Sequence, residues 1–360
     1  MSTRLALVGC GAVTQAVYVP LLSRRRELFE VTAVCDLSRT LADAVGDRLG
    51  VTRRYTSLAG MLAEGGFDAV VMLASGSHGE PVRQALAAGY AVLCEKPLAL
   101  TEAEVAALPE GRLMVGYMKQ YDPAVRRAEE ILAELGGQGV IRSVEVTVLH
   151  PSGESQLAFA NLAQARDVDV APLRAAENAI LDRALGERAT AELRSVYSVA
   201  LGSICHDLSL LRRFTGAPVA VDHVEHWGGS PGSIEISGPL PVAGRYSIRW
   251  HYLEDYPAYR ETVAIHHTKG TLELAFPAPY LMNAPTVLTV VSGAESRNEY
   301  RDVTEAFETQ LLAFHAFVTS GKPPLTDAAG ALEDIVTAQR IAARYAVQHD
   351  LALGGEARER

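Results

Sequence analysis

With 360 residues, 48% of them hydrophobic and 21% charged, the chain has material for two domains with separate cores. A formal net charge of −10 argues against nucleic acid or an anionic membrane surface, which call for basic patches, and no apolar run is long enough to span a bilayer. The N-terminus enters a strand-like run without a leader pattern, and Cys10, Cys35, Cys94 and Cys205 form no Cys-x-x-Cys, so free thiols in a reducing cytoplasm are expected.

The first predicted strand, 4–8 (Arg-Leu-Ala-Leu-Val), runs straight into Gly9-Cys10-Gly11-Ala12-Val13 and a helical stretch near 14–27. A second strand, 31–35, ends in Asp36. Strand, glycine turn, helix and acid-tipped strand each answer to a need of a dinucleotide. Gly9 permits the tight turn, Gly11 lets backbone N–H groups approach a pyrophosphate at a helix N-terminus, and Asp36 can accept hydrogen bonds from ribose hydroxyls. Thr14 stands where the third glycine of that fingerprint belongs. Asp36 would repel a 2′-phosphate and so favours NAD, while Arg39, three residues on, softens that preference and leaves NADP possible.

The alternation continues with strands at 69–73, 91–94 and 112–115 and helices near 38–49, 56–64, 79–88 and 102–107. Continuous apolar strands between amphipathic helices mean a doubly wound parallel sheet covered on both faces. Ser75, Gly76 and His78 follow the strand at 69–73 and are expected to line the cofactor. Cys94-Glu95-Lys96-Pro97 follows the strand at 91–94, at the carboxyl edge where such folds bind ligands. Four of the 33 basic residues are lysines, so a retained lysine suggests chemistry that a guanidinium cannot do. Lys96, beside a nicotinamide, can hydrogen-bond a substrate hydroxyl or carbonyl, or pass a proton.

After residue 120 the pattern changes. A helix at 123–135 and a strand at 140–149 precede a long helical or irregular stretch, 155–200, and a helix at 206–214. Strands at 245–252, 261–267, 271–276 and 286–291 lead to a closing helix at 326–347. Strands in sequence with short turns make this half α+β with a mostly antiparallel sheet. The expected division is 1–120 for a dinucleotide-binding Rossmann domain, 121–350 for a second, α+β domain, and 351–360 for a disordered tail. Neither His223 with His226 nor His266 with His267 has a completing acid or cysteine cluster, so no metal is expected.

The Gly9–Val13 turn, His78 eleven residues before Gly89, and Val92-Leu93-Cys94-Glu95-Lys96-Pro97-Leu98-Ala99 resemble the Gfo/Idh/MocA oxidoreductases. Gly116-Tyr117-Met118-Lys119-Gln120-Tyr121-Asp122-Pro123 is similar to the segment with which that family enters its second domain. The resemblance runs on through Tyr246 to Phe276 and the closing helix. It implies a Rossmann domain followed by an α/β domain with a large open sheet. Gly9, Gly11, Ala12, Val13, Asp36, Arg39, Ser75, Gly76, His78, Glu95 and Lys96 would then hold the dinucleotide. It also implies hydride transfer between NAD(P) and a secondary alcohol or ketone of a sugar, aminosugar or cyclitol, and a homodimer or homotetramer. To the domain at 121–350 it assigns substrate binding and oligomerisation.

The family pattern further supplies a histidine from the second domain, and His206, ten residues before Gly216, takes that place as general acid/base beside Lys96. Two departures stand out. Gly202 occupies the position, four residues before the histidine, where many members carry aspartate, and Met118-Lys119-Gln120-Tyr121 replaces a common Asn-Arg-Arg-Phe. Lys119, Tyr121, Asp207 and Arg249 are the candidates for substrate contacts. Two other readings remain open: a glycosidase or lyase using transient redox, and a catalytically silent dinucleotide-binding regulator.

Overall fold

The computed structural model describes residues 2–218, 220–241, 243–293 and 296–360, and the chain forms two compact units. The first comprises Met1–Gly116, Leu157–Ile180 and Gln310–Leu332; the second comprises Tyr117–Gln156, Leu181–Thr309 and Glu333–Arg360.

In the first unit, β1 (Thr3–Val8), β2 (Phe29–Cys35), β3 (Arg54–Tyr55), β4 (Ala69–Met72), β5 (Ala91–Glu95) and β6 (Leu113–Gly116) form an all-parallel sheet in the order β3-β2-β1-β4-β5-β6. The helices α1 (Val19–Arg24), α2 (Arg39–Leu49), α3 (Leu58–Glu64), α4 (Gly79–Ala87) and α5 (Glu102–Ala106) connect the strands. The strand order reverses between β1 and β4, the topological switch at which doubly wound sheets bind ligands. Register makes that edge level: Val8 pairs with Cys35 on one side and Met72 on the other. Gly9, Asp36 and the Leu73-Ala74 turn therefore leave the sheet together.

In the second unit, the eight-stranded sheet runs β14-β13-β12-β11-β7-β10-β9-β8. Its strands are β7 (Ile141–His150), β8 (His223–Trp227), β9 (Ser233–Pro239), β10 (Arg245–Tyr252), β11 (Arg260–His267), β12 (Gly270–Phe276), β13 (Val287–Ser292) and β14 (Ser296–Arg301). Only β7 and β10 pair in parallel; the other neighbours are antiparallel. Period-2 alternation buries Val144, Val146 and Val148 of β7 with Tyr246, Ile248 and Trp250 of β10 on one face, each side chain contributing about 1.5–3 kcal/mol. The opposite face carries Glu145 and Arg249 toward solvent. The helices that follow in chain order are α6 (Pro123–Leu135), α7 (Gly153–Leu157), α8 (Ala171–Leu185), α9 (Ala191–Val199), α10 (Cys205–Thr215), α11 (Ala306–Ser320) and α12 (Ala328–Gln348).

Three features differ from the sequence expectation. Residues 157–180 and 310–332 join the first unit. Gln15 bonds Ala163, the Arg112 guanidinium reaches the Val318 carbonyl, and the Val115 N–H donates to the Thr326 carbonyl. The tail expected to be disordered is docked in the second unit: Gly354 N–H bonds the Leu185 carbonyl, Ala357 is fully buried, and Glu356 and Arg360 both bond Gln339. Finally, β3, β8, β9, β14 and α11 had no sequence counterpart. β3 is two residues long and every residue of β14 is exposed, so neither carries an apolar period.

Candidate active site

The glycine turn of the first unit is shaped by close approach. Gly9 sits at φ +93°, and a Cβ there would lie 2.4 Å from the Ala74 backbone nitrogen, so only glycine fits. Gly11 is the reverse case: a Cβ would meet nothing within 4 Å, leaving open space above the start of the helical run. Thr14, in place of the third glycine, is fully buried and donates its hydroxyl to the Gly9 carbonyl at 2.6 Å. Asp36 accepts from Cys10 N–H at 2.7 Å and from Ser38 N–H at 2.8 Å, one bond to each carboxylate oxygen. Each oxygen keeps a second lone pair for a ribose hydroxyl. Open backbone at Gly11, a helix N-terminus and an acid at the next strand tip are the donor and acceptor set a dinucleotide requires, and these residues fit one.

Lys96 is half-buried just beyond β5, on a framework that fixes its backbone. Beside it Glu95, buried, accepts from the Tyr18 hydroxyl at 2.7 Å, and Gln310 in turn donates to Tyr18 at 3.1 Å. Burial pushes the Glu95 carboxyl above its usual range, against the pull of Tyr18 and Lys96. His78, 2% exposed, sets its two ring nitrogens 2.5 Å from the Ala74 carbonyl and 2.6 Å from that of Pro97. It thereby ties the loop after β4 to the loop that carries Lys96. Two facing carbonyls favour an imidazolium, yet burial dominates and holds its pKa below the ordinary value. His78 thus positions the Lys96 loop rather than lining the groove as its sequence position suggested. Ser75 is exposed and Gly76 takes φ +85° with open space at its Cβ position. Arg39 is exposed and pairs with Asp43 at 3.0 Å.

In the second unit, His206 lies in the first turn of α10, directly after a π-helical turn at Ala200–Ile204. The Tyr117 ring meets the imidazole edge-on with centroids 6.4 Å apart. Tyr117 is in turn held by Asp334 and by the Arg212 guanidinium 5.8 Å over its ring, and Arg212 pairs with Asp334 at 2.9 Å. Next to this helix lies a cavity of about 550 Å³. Its lining includes Gly202, Ser198, Ser203, Arg194, His150 and Trp250. The Trp250 indole donates to Ser203 at 2.8 Å, and His150 packs against that ring with centroids 5.0 Å apart.

The other predicted substrate residues divide. Lys119, 6% exposed, is bound by both oxygens of Glu261 at 2.5 and 2.6 Å, and Asp207 lies 3.6 Å from the same ammonium. The Tyr259 hydroxyl also reaches Glu261, at 2.5 Å. Burial lowers the Lys119 pKa, but Glu261 and Asp207 outweigh it and the net shift is upward. Burial drives Asp207 well above the carboxylate range; Lys119 opposes this and Glu261 adds to it. Both Asp207 and Lys119 therefore belong to a buried cluster in the interior of the unit. Tyr121 is buried in the 3-10 turn that also carries Lys119. Arg249 lies on the sheet's open face, 3.5 Å from Glu235, whereas Trp250 faces the cavity. The sequence did signal Glu261: it is a charged residue at an inward position of β11, in line with Val263, Ile265 and His267. Tyr18, Gln15, His150 and Trp250 carried no comparable mark.

The fold and the glycine turn define a nicotinamide-dinucleotide-binding oxidoreductase class. Residues 3–110 match the Gfo/Idh/MocA signature, described as an oxidoreductase family with an NAD-binding Rossmann fold. That unit is therefore similar to the NAD-binding domain of the Gfo/Idh/MocA oxidoreductases. It is 29% identical to D-xylose 1-dehydrogenase (NADP(+)) 2 of Haloferax volcanii over 83% of this chain and 84% of that protein. Inositol 2-dehydrogenase 3 of Saccharopolyspora erythraea is 34% identical, over 39% of this chain and 43% of that protein. A point mutant of KijD10, a 3-ketoreductase from Actinomadura kijaniata crystallised with TDP-benzene and NADP, shares the fold at a TM-score of 0.71. That likeness covers 95% of this chain and 97% of that one at 18% identity. No helix among the described residues is long and apolar enough to cross a membrane.

Proposed function

We propose that this protein interconverts a secondary alcohol and its ketone on a sugar, aminosugar or cyclitol, with NAD as the preferred dinucleotide. The observation that carries the substrate class is the cavity of the second unit. It combines the flat apolar faces of Trp250 and His150 with the hydroxyls of Ser198 and Ser203 and the Arg194 guanidinium. Ring carbons of a polyol pack on aromatic faces, while its hydroxyls need such a dense set of donors and acceptors. The xylose and inositol activities named for the relatives agree with that chemistry. Bound nicotinamide supplies the hydride chemistry. Lys96 holds the carbinol oxygen by hydrogen bond and steadies its developing charge. His206 takes the carbinol proton during oxidation and returns it during reduction.

Purified protein with NAD or NADH, a panel of pentoses, aminosugars, cyclitols and their ketones, and the absorbance of reduced nicotinamide form the test. Turnover with at least one polyol or keto-sugar is expected; bound dinucleotide with none would overturn the reading. Product formed without net change in the cofactor would favour the transient-redox alternative instead. We further propose a cytoplasmic homo-oligomer paired through the open sheet face, where Trp227 stands 42% exposed beside His251. Light scattering on the purified chain gives the assembly number.

A further inference from the structure

Residues 161–169 run without regular structure within the first unit, and two anchors hold them. At one, Ala163 N–H donates to the Gln15 side-chain oxygen at 2.9 Å and its carbonyl accepts from the Gln15 amide at 3.1 Å. Gln15 itself is buried, and the same amide donates to the Cys10 carbonyl at 2.9 Å, so this anchor is fixed to the glycine turn. At the other, Asp167 accepts from the Ser38 hydroxyl at 2.5 Å and from Thr40 N–H at 3.0 Å. Ser38 is the fully buried N-cap of α2, two residues beyond Asp36. Three residues lie between the anchors, and the four Cα–Cα steps reach at most about 14 Å. That is long enough to cross from the pyrophosphate turn to the edge of the ribose acid.

We infer that Asp167 is a specificity-determining residue: carried on this strap, it occupies the donors that a 2′-phosphate would need and makes the groove selective for NAD over NADP. The inference deepens the dinucleotide reading above and rests on it. A 2′-phosphate projects from the ribose that Asp36 holds, and the groups able to neutralise it there are the Ser38 hydroxyl and the N–H groups opening α2. Asp167 already takes the Ser38 hydroxyl and the Thr40 N–H on its own carboxylate. An entering phosphate therefore meets two carboxylates where the Ser38 hydroxyl and the Thr40 N–H are already engaged, whereas the free 2′-hydroxyl of NAD asks nothing of either. Arg39 is drawn along α2 by its own pair, its Nε donating to both oxygens of Asp43.

The test is equilibrium binding of NADH and of NADPH to the full chain, followed by nicotinamide fluorescence, with no turnover required. Wild type is expected to bind NADH about tenfold or more tightly than NADPH at low salt. Asp167→Asn and Asp167→Ala should each tighten NADPH by about tenfold and leave NADH nearly unchanged. Asp169→Asn removes the same charge two residues along the strap, where the side chain accepts from Ala171 N–H, and should leave the ratio as in wild type. A ratio unmoved in both Asp167 variants, the same gain in Asp169→Asn, or a wild type that prefers NADPH would each overturn the inference while leaving the dinucleotide reading intact. A wild type that binds neither dinucleotide removes both.

Discussion

The two units build their functional regions from different materials. The first unit's groove is made of backbone: Gly9 against Ala74, open space at Gly11, and an aspartate whose oxygens collect N–H groups from Cys10 and Ser38. The second unit's region is made of side chains brought from far apart in sequence, with Tyr117, Arg212 and Asp334 behind His206 and Lys119, Glu261 and Asp207 in one buried knot. A backbone site tolerates change in its surroundings because its donors are fixed by the sheet edge. A side-chain site depends on charges that must all stay matched.

That contrast implies unequal responses to substitution. The largest is expected at Lys96, where Lys96→Met should lower kcat by about 10²–10⁴-fold while NADH still binds, because removing the group proposed to hold the carbinol oxygen spares a groove made of main chain. Single-turnover rates together with dinucleotide titration check this; parallel loss of binding and rate would mean that Lys96 is part of the groove. Next comes the buried knot. Lys119→Met leaves Glu261 without its cation and should destabilise the second unit by about 3–5 kcal/mol, read from denaturant midpoints. An unchanged midpoint would show that the knot is not electrostatically matched.

A finer probe is pH. Asp207 holds its proton in the folded state at values where the unfolded chain releases it, since burial raises its folded pKa well above the model-peptide value. The stability this contributes is fully present below the unfolded pKa and is lost as pH rises toward the folded one. The slope approaches about 1.4 kcal/mol per unit at most. Asp207→Asn keeps the shape without the titration, so its unfolding free energy should fall less steeply with rising pH than that of wild type. Identical slopes would place the proton elsewhere in the cluster.

How much of this was legible in the sequence follows the same division. The places of the Gly9–Val13 turn, Asp36 and Glu95-Lys96-Pro97 were visible because each stands at the end of a strand whose apolar run marks it. The knot was half visible: Lys119 drew notice as a rare lysine, but its partner Glu261 lies 142 residues away, and a lone charge in a strand does not name what it meets. Residues 157–180 were assigned to the wrong side of the chain's division because nothing local distinguishes a segment that crosses back; their membership rests on Gln15 and Ser38, more than a hundred residues earlier. The docked tail escaped for a related reason. A Gly-Gly-Glu-Ala-Arg-Glu-Arg composition reads as disorder, yet its backbone and two side chains are held by Leu185 and Gln339.

The smallest expected effect tests whether the second unit's chemistry can be restored toward the family pattern. Gly202 lies one turn before His206 on the same helical run and lines the cavity, and a Cβ built on it meets nothing within 4 Å. Gly202→Asp is therefore sterically open, and exchanging glycine for aspartate inside a helix gains a few tenths of a kcal/mol in propensity, about 0.3. A carboxylate one turn from the imidazole favours its protonated form, so the acid limb of the pH–rate profile should move upward by about one unit or less. Stability should hardly change. A shifted limb with an unchanged unfolding midpoint would assign that limb to His206 and sharpen the contrast, because an added charge would then tune the side-chain region without touching the dinucleotide groove. An unmoved limb would mean that the rate-controlling proton belongs to another group, and Lys96 is the group to which the search would turn.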